Sequence, residues 1–316
     1  MRQSDSDSKT IVSVIICTHN RANLLKRALE SLVCQTIAPE KYEVIVADDG
    51  SDDGTQDLVR EVSARHSRIK LVSTGKNKGA SRARNMGLAA AKGKYILFTD
   101  DDCVPRDDWV EILCTALESN PIVAGAIESP KTGYAKLCHN IAHFHPFMKG
   151  RKPGPVDFLA GANMGFHRSV IDELGGFDDE LRLAGDMKLC LQARSKGYQP
   201  ILNQEGVILH DPDYISLAGA VKSSYRHAST TVLLRNEYRS LLRTPSLLRY
   251  PVMIRLISPF IALSVTSKIY LGNPRLLSRF WTVPFVYFLK MAWCFGAARG
   301  LVESRTKGKM DSKGHD

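Results

Sequence analysis

Residues 94–105 read Lys-Tyr-Ile-Leu-Phe-Thr-Asp-Asp-Asp-Cys-Val-Pro, a run of strand-forming residues that ends in three consecutive carboxylates. The apolar part predicts a buried strand, and Pro105 marks the turn that follows it. Adjacent carboxylates repel one another, so a fold groups them where a cation or solvent offsets their charge. This pattern favours a divalent metal, because Mg²⁺ and Mn²⁺ are bound by one or two carboxylates together with substrate phosphates. The alternative is a solvated acidic loop before a helix predicted over residues 106–119.

Strands and helices alternate upstream of this segment. The predicted strands cover residues 11–17, 44–47 and 69–72, and the predicted helices cover residues 24–33, 55–66 and 80–92. This alternation predicts a mostly parallel sheet with helices on both faces. Ligands of such sheets bind at the carboxyl ends of strands, where residues 18–21, 48–51 and 100–102 would meet. A dinucleotide-binding fold is disfavoured because no Gly-x-Gly-x-x-Gly follows the first strand.

Length and composition indicate one α/β domain with an appendage. A chain of 316 residues exceeds what a single core of about 250–300 residues accommodates. The seven cysteines include no Cys-x-x-Cys pair, which favours a reducing, cytoplasmic setting over a disulfide framework. The first ten residues are polar, so no signal peptide is expected.

The positive charge is concentrated in the last third of the chain. Residues 213–316 contain 16 Lys and Arg against 5 Asp and Glu, whereas the whole chain has a net charge of +10. The longest uncharged run there, residues 256–267, is shorter than the ~20 residues that span a bilayer. Trp and Tyr among cations favour helices that lie on an anionic membrane surface. The alternative is an oligomerisation cap, such as a homodimer interface, and nothing resembles a nucleic-acid-binding motif.

We therefore expect three parts along the chain. Residues 1–10 form a flexible N-terminus, residues 11–212 form the α/β domain, and residues 213–316 form a helical, membrane-associating or oligomerising region.

Six short motifs follow one another through the first two thirds of the chain. They are Ser13–Arg21, Asp48–Ser51, Ala83–Asn85, Phe98–Asp102, Gly161–Met164 and Gly175–Asp178. Together they resemble the motifs of the inverting family-2 glycosyltransferases, which have the GT-A fold, an α/β nucleotide-diphospho-sugar transferase fold.

The resemblance implies a donor site and a metal site. The donor nucleotide would be bound by Thr18, Asn20, Arg21, Asp48, Asp49, Arg84 and Asp101. Within this set Asp48 and Asp49 would face the base or ribose of a uridine nucleotide, and Arg84 would approach the phosphates. A divalent metal, Mg²⁺ or Mn²⁺, would be held by Asp100 and Asp102, with His210 as a further ligand. The simpler interpretations are a turn-forming Asp48, a surface Arg84 and a loop His210.

The resemblance also implies an acceptor side, formed by Gly161, Ala162 and Asn163 on an apolar strand predicted over residues 156–166. Small residues there would let a substrate approach closely. Residues 134–155 are expected to form a variable insertion that also faces the acceptor.

The general base of the family corresponds to Asp186, in a segment that usually reads Glu-Asp-x-Asp. Here Gly185 replaces the Glu and Lys188 replaces the second Asp. A neighbouring Lys is expected to lower the pKa of Asp186, because an opposite charge favours the ionised carboxylate. The alternative role for Asp186 is a helix-N-terminal residue that the helix dipole favours.

The sequence therefore predicts a cytoplasmic enzyme, peripheral to the cytoplasmic membrane, that transfers a sugar with inversion. Its donor would be a UDP-linked sugar and its acceptor a glycan or a lipid-linked molecule, as in glycolipid or envelope polysaccharide synthesis. One alternative is a sugar nucleotidyltransferase, although this chain lacks a Gly-rich phosphate loop after the first strand. The other is a catalytically silent nucleotide-sugar-binding protein, suggested by Gly185 and Lys188.

Overall fold

The computed structural model describes residues 10–212 and 216–313, and the chain divides into two compact units. Unit 1 contains Met1–Ile127 and Pro153–His210, and unit 2 contains Glu128–Lys152 and Asp211–Asp316. The division after His210 lies close to the boundary predicted at 212. Residues 128–152, however, belong with the C-terminal part of the chain. The N-terminus predicted to be flexible lies outside the described residues, except for Thr10.

The sheet is described by its strands. They are β1 Val12–Thr18, β2 Tyr42–Asp48, β3 Ile69–Ser73, β4 Tyr95–Asp100, β5 Cys103–Pro105, β6 Ile122–Glu128, β7 Gly154–Pro155, β8 Asn163–His167 and β9 Ile201–His210. The helices are α1 Ala22–Val33, α2 Thr55–Arg65, α3 Ala80–Ala90, α4 Trp109–Ser119, α5 Tyr134–Phe144, α6 Arg168–Leu174, α7 Gly185–Ser195, α8 Leu217–Glu237, α9 Pro251–Leu256, α10 Ser258–Leu271, α11 Pro274–Leu277 and α12 Val283–Lys313. Short 3₁₀ turns occur at Pro39–Lys41, Ser246–Arg249 and Phe280–Thr282.

Unit 1 is built on a mixed sheet with the strand order β3-β2-β1-β4-β8-β6-β9-β5, and β7 pairs with β9. The first four strands in this order are parallel, whereas β8 runs antiparallel to β4 and to β6. The predicted α/β fold is confirmed, and the parallel arrangement applies to its first half. Strands β1 and β2 are almost wholly buried, as expected for Val- and Ile-rich parallel strands covered by helices.

The strand predicted over residues 156–166 is shorter in the structure. Only Asn163–His167 forms a strand, because Asn163 N donates to Ala160 O and closes a turn immediately before it. The preceding Gly161 and Ala162 therefore lie in a loop at the start of β8.

Unit 2 is helical, and α12 is its central helix. The side chains of Val286 and Leu289 pack in one apolar cluster with Ile141 of α5, and Ala297 packs in a second cluster with Ala228 of α8. On its α8 side α12 carries Gly296 and Gly300, each of which lies against the α8 backbone.

Among the described residues, one helical stretch, residues 280–306, is long and apolar enough to cross a membrane, judged by length and composition alone. This stretch does not appear as a long uncharged run in the sequence, because it contains Lys290 and Arg299. Lys290 Nζ donates to Ala142 O, so its polar end has a partner inside unit 2, although burial lowers its pKa to about 8. A helix that packs against other helices in buried apolar clusters, as α12 does, is also typical of a protein core.

We predict that Gly296→Ala destabilises unit 2. A Cβ at Gly296 would lie 2.0 Å from Tyr225 O, so α8 and α12 must move apart. Overpacking costs typically about 1–3 kcal/mol, which exceeds the gain of ~1 kcal/mol from replacing Gly by Ala in a helix. Urea unfolding measures the difference. The control Glu303→Ala removes an exposed ion pair with Arg299, worth about 0.3–0.5 kcal/mol. An equal effect of the two substitutions would contradict the close helix contact.

Candidate active site

Asp101 joins the end of β4 to the loop after β1. The parallel register pairs Cys17 with Asp100, so the residues that follow the two strands meet. Thr18 Oγ1 donates to Asp101 Oδ2 at 2.8 Å, and Arg21 Nη1 donates to Asp101 Oδ1 at 2.9 Å. Burial raises the pKa of Asp101 to about 7, against the opposing effect of Arg21. Asp101 thus holds two of the predicted donor-binding residues in place.

Asp48 and Asp49 organise the loops at the end of β2. Asp48 accepts hydrogen bonds from Gln56 Nε2 at 2.8 Å and from Ser73 Oγ at 3.0 Å. Asp49 accepts from the backbone N–H groups of Lys78 and Gly79, both at 2.8 Å. Both carboxylates are buried, and these contacts shape the loop between β3 and α3.

Asn20 ties the loop after β1 to the loop after β2. Its side-chain Oδ1 accepts from Asp52 N at 2.9 Å, and its own N–H donates to Ser51 Oγ at 2.9 Å. Asn20 has a positive φ of 53°, a conformation that Asn tolerates better than most residues. The predicted donor-binding loops are therefore joined.

Arg84, on α3, is bound by the first of the three consecutive carboxylates. Its Nη2 donates to Asp100 Oδ1 at 2.8 Å, and its guanidinium lies 5.6 Å from the centre of the Phe177 ring. Burial acts against the charge of Arg84, but Asp100 raises its pKa above the usual value. A Cβ at Gly161 would lie 2.9 Å from Arg84 Nη2 and 3.4 Å from Asp186 Oδ2. The absence of a side chain at Gly161 thus lets Arg84 and Asp186 approach the same point.

Asp102 and His210 form the candidate metal site. The antiparallel pairing of β5 and β9 sets Cys103 opposite His210, and Asp102 precedes Cys103. Asp102 Oδ1 lies 3.5 Å from His210 Nε2, and ligand atoms of Asp102, Cys103 and His210 all lie within 4.8 Å of one another. A carboxylate with phosphate oxygens completing the shell suits Mg²⁺ or Mn²⁺. The imidazole beside it favours Mn²⁺ of the two, because imidazole is a ligand of transition metals.

Two residues near this site have other contacts. Burial raises the pKa of Cys103 well above its usual value, so its sulfur stays a protonated thiol and a poor ligand for a hard cation. Asp100, predicted as a ligand with Asp102, has its carboxylate on Arg84. The site that the structure brings together is thus Asp102 with His210.

Asp186 lies in the first turn of α7, and backbone groups hold its carboxylate. Gly161 N donates to Asp186 Oδ2 at 2.7 Å, and Met187 N donates to Asp186 Oδ1 at 2.8 Å. Each oxygen keeps a further lone pair that can accept a proton or a hydrogen bond. Ala184, the residue immediately before α7, has a positive φ of 61°, which turns the chain into the helix.

Lys188 is directed to a partner that the sequence analysis did not assign. Its ammonium group forms an ion pair with Asp178, and this hydrogen bond lowers the pKa of Asp178. The structure thus adds Asp178 as a partner of Lys188, beside the neighbouring Asp186 that the sequence analysis considered.

Asn163, one of the predicted acceptor-side residues, is buried, and its amide group bonds to other residues of unit 1. Trp109 Nε1 donates to Asn163 Oδ1 at 2.9 Å, and Asn163 Nδ2 donates to the carbonyl oxygens of Ala126 and Gly206 at 2.8 and 3.0 Å. This buried amide joins β6, β8, β9 and α4. The structure also adds Phe177, which covers Arg84. The sequence analysis did not assign Phe177 to the site, although its position in the Gly-Gly-Phe-Asp motif could have indicated it.

The family described as "Glycosyl transferase family 2" matches residues 13–175. This match covers more than half of the chain, and the chain belongs to that family. The predicted family membership is confirmed.

Several known proteins are similar to this chain. Glycosyltransferase AglE of Haloferax volcanii is 26% identical over 189 residues, which are 59% of this chain and 62% of that protein. The probable glycosyltransferase YdaM of Bacillus subtilis is 32% identical over 200 residues, 59% of this chain and 47% of that protein. The match thus spans less than two thirds of either relative.

Among solved structures, the chain is similar to the mannosyltransferase PcManGT from Pyrobaculum calidifontis in complex with GDP-Man and Mn²⁺. The TM-score is 0.62 at 21% identity, with 93% of this chain and 87% of that chain covered. This likeness supports the predicted GT-A fold.

We predict that Gly185 and Ser81 are energetically coupled. A Cβ at Gly185 would lie 2.6 Å from Ser81 Oγ but 3.8 Å from Ser81 Cβ, which is ordinary contact. Gly185→Ala should therefore destabilise the protein in the wild-type background and much less in Ser81→Ala. The coupling expected between contacting residues is about 0.5–3 kcal/mol, measured by urea unfolding of the four proteins in a double-mutant cycle.

The matched control for this cycle is Gly87→Ala, also on a tightly packed glycine. Its Cβ would meet Ile15 Cγ2 at 2.7 Å and does not involve Ser81. Its effect should add to that of Ser81→Ala. Additivity in both cycles would show that Ser81 is not what excludes a side chain at Gly185.

Proposed function

We propose that this protein is an inverting, metal-dependent glycosyltransferase that uses a nucleoside diphosphate sugar. The observation that carries the proposal is the approach of Asp186 and Arg84 to one point above Gly161, with Arg84 in turn bound to Asp100. A carboxylate that can accept a proton and a cation that can meet a diphosphate are the two groups this reaction requires.

The proposed donor pocket is formed by the joined loops after β1 and β2. Thr18, Asn20 and Arg21 line it from one side, and Asp48 and Asp49 from the other, towards the base and ribose. Asp101 contributes by holding Thr18 and Arg21 in position. We propose a uridine nucleotide, as the resemblance implied. The GDP-Man found in the similar mannosyltransferase makes guanosine the competing base.

The proposed metal ligands are Asp102 and His210, with Asp100 close by in the same motif. When bound, Mg²⁺ or Mn²⁺ would offset the charge that develops on the diphosphate leaving group. The Mn²⁺ in the similar mannosyltransferase supports this choice of metal. Arg84 would add a second positive charge beside the phosphates. The phosphates would compete with Asp100 for the Arg84 guanidinium group.

Asp186 is the proposed general base. It would take the proton from the acceptor hydroxyl, which attacks the anomeric carbon opposite the departing diphosphate, so an α-linked donor gives a β-linked product. The backbone N–H groups of Gly161 and Met187 would keep its carboxylate oriented during this step. Gly161 and Ala162, with the buried Asn163 supporting their loop, would form the acceptor side.

We further propose that the acceptor is a glycan or a lipid-linked molecule and that the enzyme acts at the cytoplasmic face of a membrane. The excess of Lys and Arg in residues 213–316 supports attraction to anionic lipids. A homodimer is the alternative use of the same region.

The metal proposal predicts that Asp102→Ala abolishes the stabilisation of the protein by UDP with Mn²⁺. A ligand at 100 times its Kd stabilises the folded state by about 2.7 kcal/mol, and this gain needs the bridging cation. Thermal unfolding with and without UDP and Mn²⁺ measures it, with GDP as a second nucleotide. Asp107→Ala, an exposed carboxylate on the same segment, is the control. A full metal-dependent gain in Asp102→Ala would refute the assignment.

The base proposal predicts that Asp186→Asn retains donor binding and loses transfer. The amide keeps the size of the side chain but does not accept a proton, so the rate should fall by about 10²–10⁴-fold. Transfer or slow hydrolysis of a panel of nucleotide sugars, together with calorimetric donor binding, separates the two effects. Asp157→Asn is the control, since that side chain is 71% exposed. A rate near that of the wild type would mean that another group is the base.

A further inference from the structure

The helical pair α9–α10 in unit 2 has an apolar side that the protein itself leaves uncovered. Ile257 N donates to Met253 O and Ile261 N donates to Ile257 O, so the two helices continue with little interruption from Pro251 to Leu271. The inner side of this pair is buried in unit 2, and its apolar residues there are Ile254, Ala262, Ile269 and Tyr270.

The outer side is also apolar, although it is exposed. Its large side chains are between 58% and 77% exposed and are Val252, Leu256, Phe260, Leu263 and Leu271. Their spacing of three, four or eight residues places them on one side of the helix. A helix that is apolar on all sides is normally buried in a core or in a membrane. A contiguous exposed apolar face of this kind marks an interaction surface.

Positive charges border this face. Arg255 and Lys268 are exposed at either end of the uncharged run 256–267. Residues 216–306 as a whole contain 13 Lys and Arg against 2 Asp and Glu. This charge complements lipid phosphates. It opposes a second copy of the chain, because a two-fold contact through this face would bring the positive charges of the two copies close to one another.

The dimensions fit a helix that lies in the membrane surface rather than one that crosses it. The apolar face from Val252 to Leu271 is interrupted by the charges of Arg255 and Lys268. The uncharged stretch between these two residues rises only about 20 Å, which is less than the ~30 Å of a hydrocarbon core. The inner side is in addition committed to α12, since Ile254 packs with Cys294, and Tyr270 packs with Val286.

We propose that the outer face of α9–α10 is the surface by which this protein binds an anionic phospholipid bilayer. Leu256, Phe260 and Leu263 enter the boundary between headgroups and acyl chains, and Arg255 and Lys268 meet the phosphates. This inference rests on the peripheral membrane location proposed above and assigns it to one surface.

The test is sedimentation of the full chain with vesicles of phosphatidylglycerol and phosphatidylcholine, compared with phosphatidylcholine alone. The wild type should bind the anionic vesicles, and less strongly at high salt. Phe260→Glu and, independently, Leu263→Glu should each weaken binding about tenfold or more, because a carboxylate is placed at the lipid boundary. Both sites are exposed, so the thermal unfolding midpoint should stay unchanged and show that the variants fold.

Leu217→Glu is the matched control. It adds the same charge at another exposed apolar residue of unit 2, which is 48% exposed at the start of α8, and it should bind as the wild type does. If all three variants bind equally, the surface is wrong and the membrane location stands. If the wild type ignores anionic vesicles at low salt, the location itself is wrong. A lipid-free wild-type dimer that Phe260→Glu converts to monomer would make the face a self-association surface and overturn the proposal.

Discussion

The separation of three adjacent negative charges is the constraint on which the candidate site depends. Asp100, Asp101 and Asp102 follow one another at the end of a buried strand, and each has its own set of partners. Arg84 binds the first, and Thr18 and Arg21 bind the second. His210 approaches the third, which also lies 3.6 Å from Arg21 Nη1. Because these partners come from α3, from the loop after β1 and from β9, the charge of one tripeptide brings distant parts of unit 1 together.

Glycines complete this arrangement by leaving room where a side chain would intrude. Gly161 lets Arg84 and Asp186 face the same space, and its N–H orients Asp186. A side chain at Gly185, such as the Glu usual in this motif, would meet Ser81 Oγ and displace that hydroxyl from its hydrogen bond with Leu181 O. Both departures from the usual motif thus have a structural counterpart. Gly185 leaves room for Ser81 Oγ, and Lys188 forms an ion pair with Asp178.

The sequence sufficed for the features that depend on local pattern. The strands β1 to β4, the helices between them and the meeting of residues 18–21, 48–51 and 100–102 follow from periodicity and from the properties of parallel sheets. The antiparallel half did not follow, because pairing such as that of β5 with β9 depends on contacts between residues about 100 positions apart. Ion-pair partners were equally hidden, since nothing in the sequence indicates that Lys188, two residues from Asp186, forms an ion pair with Asp178.

Residues 128–152 and 211–316 form one unit although unit 1 residues separate them in the chain. The apolar side chains of α5, such as Cys138 and Ile141, pack in one cluster with residues that follow much later in the chain, from Ala220 to Leu289. During synthesis this cluster is therefore completed only after the whole of unit 1 has been made. A genetic crossover between residues 153 and 210 would separate the two segments of unit 2, whereas a crossover before residue 128 would keep them together.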